Sequence, residues 1–197
     1  RPTPGHSSAA SDVYKRQPHK AHIKIAERSI EQFNLDKVIF IPSGNPWQKK
    51  DATSFIHRYE MTKILIKESH SFEISDIENS QKKPSYTSET LKKLNQPKEK
   101  LYFILGSDAA MNIKTWKNYE ILPSLTNFLI ALRSEDSIEK LDKNFPFDFE
   151  IILGDKLNLS STSLRKKLKE RNTENGELPL GVLNYICLLY TSDAADE

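Results

Sequence analysis

Four short apolar runs limit what this chain can fold into. Lys37-Val38-Ile39-Phe40-Ile41, Leu101 to Leu105, Asn127 to Leu132 and Glu150 to Leu153 are continuous rather than alternating in hydrophobicity. That is the pattern of strands buried on both faces. The first is stopped by Pro42, Gly44 and Pro46 and the second by Gly106. Segments of helical period stand between them. Lys20 to Phe33 places Ile23, Ile25, Ala26, Ile30 and Phe33 at amphipathic spacing, and His57 to Lys67, Thr87 to Leu94, Ser161 to Lys169 and Pro179 to Ile186 also read as helices. The Thr87 helix is expected to be capped by Thr87 itself, and a helix start is expected at Ser107-Asp108. Phe72 to Ser75 alternates as a strand does. Buried strands alternating with helices predict an α/β fold with a doubly wound, largely parallel sheet, and ligands of such sheets sit at the carboxyl ends of the strands.

Length and charge narrow the partners. A chain of 197 residues that is 37% hydrophobic can build one core without disulfides or metals. Lys plus Arg number 29 against 27 for Asp plus Glu, so a net charge of +2 gives no global field calling for nucleic acid or an anionic membrane. Any anion site must be local. The single cysteine, Cys187, has no internal partner, no apolar run is long enough to span a bilayer, and no signal peptide is evident, so a cytoplasmic location is expected. Both ends break the pattern. Residues 1–17 lack any period, and 187–197 interrupt a helix with Cys187-Leu188-Leu189-Tyr190. Both resemble translated sequencing adapter. The expected organisation is therefore one domain over 18–186 between non-native segments, 1–17 and 187–197.

Three places could carry chemistry. His19 and His22 lie three residues apart, on one face of a helix's first turn, where free N–H groups and the helix dipole favour an anion. Two surface histidines are the plain alternative, and a zinc pair lacks a third partner. In Leu159 to Arg165, hydroxyls at a helix start precede Arg165 by one turn, a combination that suits phosphate oxygens and also suits ordinary capping. Gly106-Ser107-Asp108 sits at a strand end, where glycine admits a ligand to the backbone and a carboxylate can accept from hydroxyls or an amide. A tight turn with Asp as helix cap is the alternative there. Trp116, flanked by Lys114 and Lys117, reads as lying in a polar setting and could stack on a heteroaromatic ring or simply pack.

Over nearly all of Pro18 to Ile186 the chain resembles the bacterial nicotinate-nucleotide adenylyltransferases. His19-Lys20-Ala21-His22 looks like the H-x-G-H signature of the nucleotidyltransferase superfamily, and Pro84 to Leu91 like this family's S-Y-T-x-x-T-L segment. Phe103 to Asp108 with Trp116 is similar to F-I-x-G-[AS]-D and its downstream Trp, and Leu159 to Arg165 to I-S-S-T-x-[IL]-R. The first and last motifs are shared with pantetheine-phosphate adenylyltransferase, whereas the middle two point to nicotinate mononucleotide as acceptor.

The resemblance implies a Rossmann-like nucleotidyltransferase fold and adenylyl transfer from ATP, with magnesium, to nicotinate mononucleotide. It assigns His19, His22, Lys49, Ser161, Thr162 and Arg165 to ATP, with His19, His22 and Arg165 in catalysis. Thr87, Gly106, Asp108, Trp116 and Arg133 fall to the acceptor. No protein-held metal is implied. Ala21 stands where the motif has glycine, and Trp47-Gln48 where the family often has Pro-His. The family's opening strand and its Gly-[ST]-Phe-[DN]-Pro loop would precede Pro18, so weakened ATP binding and lowered stability are expected of this chain. The alternatives are pantetheine-phosphate adenylyltransferase and a non-catalytic nucleotide-binding module.

Overall fold

The computed structural model describes residues 19–44, 54–79, 84–133, 136–154 and 179–185. The expectations for 1–17, Lys49, the Ser161 helix with Ser161, Thr162 and Arg165, and 187–197 lie outside the described residues. Two compact units divide the chain. One comprises Arg1–Ile23, Ile39–Asn79 and Leu159–Glu197; the other comprises Lys24–Val38 and Ser80–Asn158.

The second unit holds a sheet of three parallel strands, β3 (Tyr102–Gly106), β4 (Asn127–Ala131) and β5 (Glu150–Ile152), in that order. Tyr102 pairs with Asn127 and Gly106 with Ala131, while Leu129 to Ala131 pair with Glu150 to Ile152. β4 is central, and its apolar run is divided between two faces as period-two geometry requires. Phe128 and Ile130 enter one cluster with Leu91, Leu105, Ile113, Leu122, Leu141 and Phe145. Leu129 and Ala131 enter another with Ile152, covered by Ile25, Phe33 and Leu35 from the first helix and its exit. The sheet is thus clothed on both sides, which is what doubly wound means in physical terms.

That first helix, α1 (Lys20–Phe33), has the limits its amphipathic spacing predicts. Its Gln32 donates to the Leu153 carbonyl at 2.7 Å and accepts from the Leu153 N–H at 2.8 Å, which ties the helix to the end of β5. Gly154 follows at φ +141°, in a region that side chains avoid, with the Arg28 guanidinium filling the space a Cβ would need. The β3 to β4 crossover contains α4 (Ser107–Met111), two single helical turns and α5 (Leu122–Leu125). The return to β5 contains α6 (Ile138–Asn144), which carries one buried side chain, Leu141. α3 (Thr87–Leu94) precedes β3.

In the first unit β1 (Val38–Phe40) pairs with β2 (Phe72–Ile74). β1 corrects an expectation: it is not a buried strand, for Ile39 is 36% exposed and its neighbours are half-buried. Full burial needs a neighbour on each edge and a layer on each face, and among the described residues β1 pairs with β2 alone. α2 (Phe55–Ile66) begins two residues before the expected His57, because the Ser54 side chain accepts from the His57 N–H and caps the helix. Its buried residues Phe55, Arg58, Met61, Thr62, Leu65 and Ile66 recur at helical period. The Arg58 guanidinium donates to the carbonyls of Ser43 and Gly44, and the Gly44 N–H donates to Glu78 at 3.2 Å, so the turn after β1 is held from two sides. Residues 180–185 are helical, as predicted, and Tyr185 meets His57 Nδ1 at 3.1 Å.

Candidate active site

The two histidines meet at the start of α1. His19 is buried, and its ring lies 4.0 Å, centroid to centroid, from that of His22 at a tilt of 37°. The His19 N–H donates to His22 Nδ1 at 3.2 Å while the His22 N–H donates to the His19 carbonyl at 2.9 Å. A ring nitrogen that accepts cannot carry the proton, so neutral His22 holds its hydrogen on Nε2. Desolvation lowers the His22 pKa below the usual histidine range. The backbone hydrogen bond with His19 opposes that shift in part. Because the residue keeps an exposed surface, solvent moderates the depression. Ala21, in place of the motif's glycine, is 2% exposed, so its methyl lies within the packing.

The second cluster stands at the carboxyl ends of β3 and β4. Gly106, not Asp108, occupies the helix-cap position, and Asp108 is the second residue of α4. That removes the reading of Asp108 as a cap and leaves its carboxylate available: Oδ2 lies 2.8 Å from a terminal nitrogen of Arg133, with both side chains partly exposed. A Cβ on Gly106 would come within 2.8 Å of Asp108 Oδ1, so the glycine is what lets this carboxylate fold back over the strand end. Beneath the ion pair, the buried Ser107 hydroxyl donates to Asp136 Oδ2 at 2.6 Å and accepts from the Arg133 N–H at 3.1 Å. Lys140 reaches Asp136 Oδ1 at 3.2 Å. Donation from Ser107 is the main reason the Asp136 carboxyl is held below its ordinary pKa, and Lys140 and Arg133 add to it against the cost of burial. Ser107 appears in the sequence as part of a helix start, and Asp136 carries no sequence signal.

Thr87 opens α3 but does not cap it. Tyr86 is the cap residue, with extended backbone and no side-chain cap bond, and the hydroxyl of Thr90 turns back to the Tyr86 carbonyl at 3.3 Å. Buried Ser88 donates to the carbonyl of Lys117 at 3.3 Å, and the Lys117 ammonium lies 4.2 Å above the Tyr86 ring. Thr87 and Trp116 are therefore each one residue from a direct link between α3 and the turn after α4. Trp116 itself is half-buried, edge-on to Phe103 at 6.1 Å, and packed on the apolar cluster rather than set among polar groups as its sequence neighbours suggest. The structure thus brings together His19 with His22 and Asp108 with Arg133. Lys49, Ser161, Thr162 and Arg165 lie outside the described residues.

A doubly wound parallel sheet, polar groups at its strand ends and paired imidazoles at a helix start define a nucleotidyltransferase, and residues 17–167 match the cytidylyltransferase-like family model. A Desulfitobacterium hafniense (strain Y51) protein named "Probable nicotinate-nucleotide adenylyltransferase" is 39% identical over 179 residues, 85% of this chain and 86% of that protein. One of the same name from Clostridium novyi (strain NT) is 39% identical over 164 residues, 78% of this chain and 82% of the other. The solved structure of Plasmodium falciparum nicotinic acid mononucleotide adenylyltransferase complexed with APC superposes with a TM-score of 0.69 at 25% identity, covering 89% of this chain and 91% of that one. The chain belongs to the nicotinate-nucleotide adenylyltransferase family.

Proposed function

We propose that this chain transfers the adenylyl group of ATP to nicotinate mononucleotide, giving deamido-NAD and pyrophosphate, a step of NAD biosynthesis. The observation that carries the reading is the 39% identity, over 179 residues, with a relative of that name. The acceptor phosphate attacks the α-phosphorus in line, and no covalent enzyme intermediate is needed. Both reactants are anions and charge grows on the leaving pyrophosphate, so the protein's part is to position the reactants and stabilise charge.

His22 suits that part. Its neutral ring, with Nδ1 engaged by the His19 N–H, presents Nε2–H as a donor for a phosphate oxygen. An approaching triphosphate would also raise its pKa and favour the cation. His19 lies beside it at the same helix start, where the helix dipole favours anions. Lys49, Ser161, Thr162 and Arg165 are assigned to the triphosphate by their motifs. On the acceptor side Gly106 leaves room at the strand end, Asp108 and Arg133 offer an acceptor and a fork of donors, Thr87 heads α3, and Trp116 offers a ring face. Magnesium enters as the ATP complex, a cation that keeps several waters and is commonly bound through substrate phosphates. A cytoplasmic location completes the reading, testable by cell fractionation; among the described residues no helix is long and apolar enough to cross a membrane.

The test is pyrophosphate release from MgATP with nicotinate mononucleotide, nicotinamide mononucleotide and phosphopantetheine in turn. It should be run on this chain and on a version carrying a Gly-[ST]-Phe-[DN]-Pro loop and its strand ahead of Pro18. Release should be fastest with nicotinate mononucleotide. Release with phosphopantetheine alone would move the chain to pantetheine-phosphate adenylyltransferase, and nucleotide retention without release from either version would leave a binding module.

A further inference from the structure

The ion pair between Arg133 and Asp108 is partly exposed, with the two side chains 35% and 47% accessible. Surface pairs of this kind hold no fixed geometry by themselves, since solvent screens them and both side chains lose entropy. Directly below it, however, is a bracket that is almost wholly buried: Ser107 is 0% and Asp136 5% exposed. The bracket has one possible polarity. A carboxylate at this pKa cannot donate and a backbone N–H cannot accept, so the Ser107 hydroxyl must donate to Asp136 and accept from Arg133. Asp136 thereby decides which way the hydroxyl points. The hydroxyl's lone pairs in turn fix the backbone of Arg133 where the chain leaves β4.

Packing does not explain the carboxylate. A buried charge is costly even when paired, and an apolar side chain of similar size commonly serves stability as well or better. What an apolar residue could not do is orient a hydroxyl toward the Arg133 N–H while Lys140, one helical turn on, supplies a counter-charge at 3.2 Å.

We propose that Asp136 is a positioning residue for the acceptor side of the site, which through the buried Ser107 hydroxyl fixes the backbone of Arg133 and so aims its guanidinium beside Asp108. The proposal rests on the reading that nicotinate mononucleotide binds at the ends of β3 and β4. Asp136 is buried and reaches Arg133 through Ser107, so its loss should be felt in one ligand and not in the other.

Calorimetric titration of the parent chain and of Asp136→Ala, well below both melting temperatures, tests this. The dissociation constant for nicotinate mononucleotide should rise about tenfold in the variant while that for MgATP stays unchanged. Asp136→Asn, which keeps an oxygen to accept from Ser107, should recover most of the loss. Should Asp136→Ala fail to fold, Ser107→Ala breaks the same bridge and carries the same expectation. Equal nicotinate mononucleotide affinities in parent and variant overturn the proposal, and so does a parallel loss of both ligands, which is the mark of general destabilisation. If the parent does not bind nicotinate mononucleotide, the functional reading fails, and hydrogen exchange of the Arg133 N–H decides the bracket separately. Exchange should be slow in the parent and at least about tenfold faster in Asp136→Ala, whereas equal exchange rates overturn it.

Discussion

Replacing Gly106 with alanine should damage acceptor binding and leave the fold standing. Gly106 has φ −79° and ψ 153°, ordinary extended backbone that alanine adopts without strain. The obstacle is one atom: the new Cβ would lie 2.8 Å from Asp108 Oδ1, and ordinary van der Waals contact begins at 3.4 Å, so the carboxylate must retreat by about 0.6 Å. It can do so, being the end of a flexible and 47% exposed side chain. The stability cost is therefore bounded by the weakened ion pair with Arg133, about 0–1 kcal/mol for an exposed pair, or at most about 4 °C in melting temperature for a domain of this size. The effect on binding should be larger. Displacing a positioned group by the better part of an ångström can cost up to about a hundredfold, so a ten- to hundredfold weaker affinity for nicotinate mononucleotide, about 1.4–2.8 kcal/mol, is expected with unchanged affinity for MgATP. Calorimetric titration with each ligand and a thermal melt measure both quantities. Wild-type affinity for nicotinate mononucleotide in Gly106→Ala would refute the reasoning, as would a fall in melting temperature far beyond 4 °C, which would place the glycine's role in the fold.

Three further outcomes follow from the same geometry. In the free protein the His22 ring should titrate below the ordinary histidine value of 6.5, followed by NMR of its Cε1 proton, and should move upward when MgATP binds. A midpoint at or above 6.5 without nucleotide would contradict desolvation as the dominant influence on the ring. Asp136 has a depressed pKa in the fold, so the unfolded chain binds more protons as pH falls, and the stability this carboxylate contributes is present above about pH 4 and lost as pH drops through its folded pKa. Asp136→Asn should accordingly flatten the acid arm of a stability–pH curve from urea melts, whereas an unchanged arm would show that the carboxylate is not held by its partners. Ile130→Ala, at a fully buried position on the central strand, should cost about 2–5 kcal/mol and lower the melting temperature by about 4–20 °C; a change under about 1 kcal/mol would mean the cluster around it collapses freely into the space.

How much of this was legible in the sequence varies with the kind of signal. α1 could be bounded to the residue because Ile23, Ile25, Ala26, Ile30 and Phe33 mark a strong period, and β3 and β4 to within one residue because their apolar runs are continuous. α6 was missed: it is short and buries Leu141 as its single anchor, which is too little period to detect. The cap at Tyr86 rather than Thr87 turns on backbone angles that a threonine-rich segment does not reveal. The site divides in the same way. His19 with His22 and Gly106 with Asp108 are near neighbours in sequence, so their chemistry can be read from spacing. The bond from Ser107 to Asp136 joins residues 29 apart, created when parallel strands bring their ends side by side, and no linear pattern announces it. β1 was read as buried because apolar content speaks of a residue's preference and not of the neighbours it finds.

The pairing of β3 with β4 sets a ruler for the cluster at the strand ends. Gly106 and Ala131 are the last paired residues of the two strands, and Asp108 and Arg133 lie two positions beyond each. The span between carboxylate and guanidinium is thus inherited from strand register, which is itself held by side chains buried on both faces of β4. A slip of one residue would invert the two faces of the strand and separate the pair together. Evolution can therefore vary the exposed surface widely but cannot retune these two groups independently of the core. Substitutions deep in the sheet should surface first as acceptor defects that worsen with temperature, in molecules still folded.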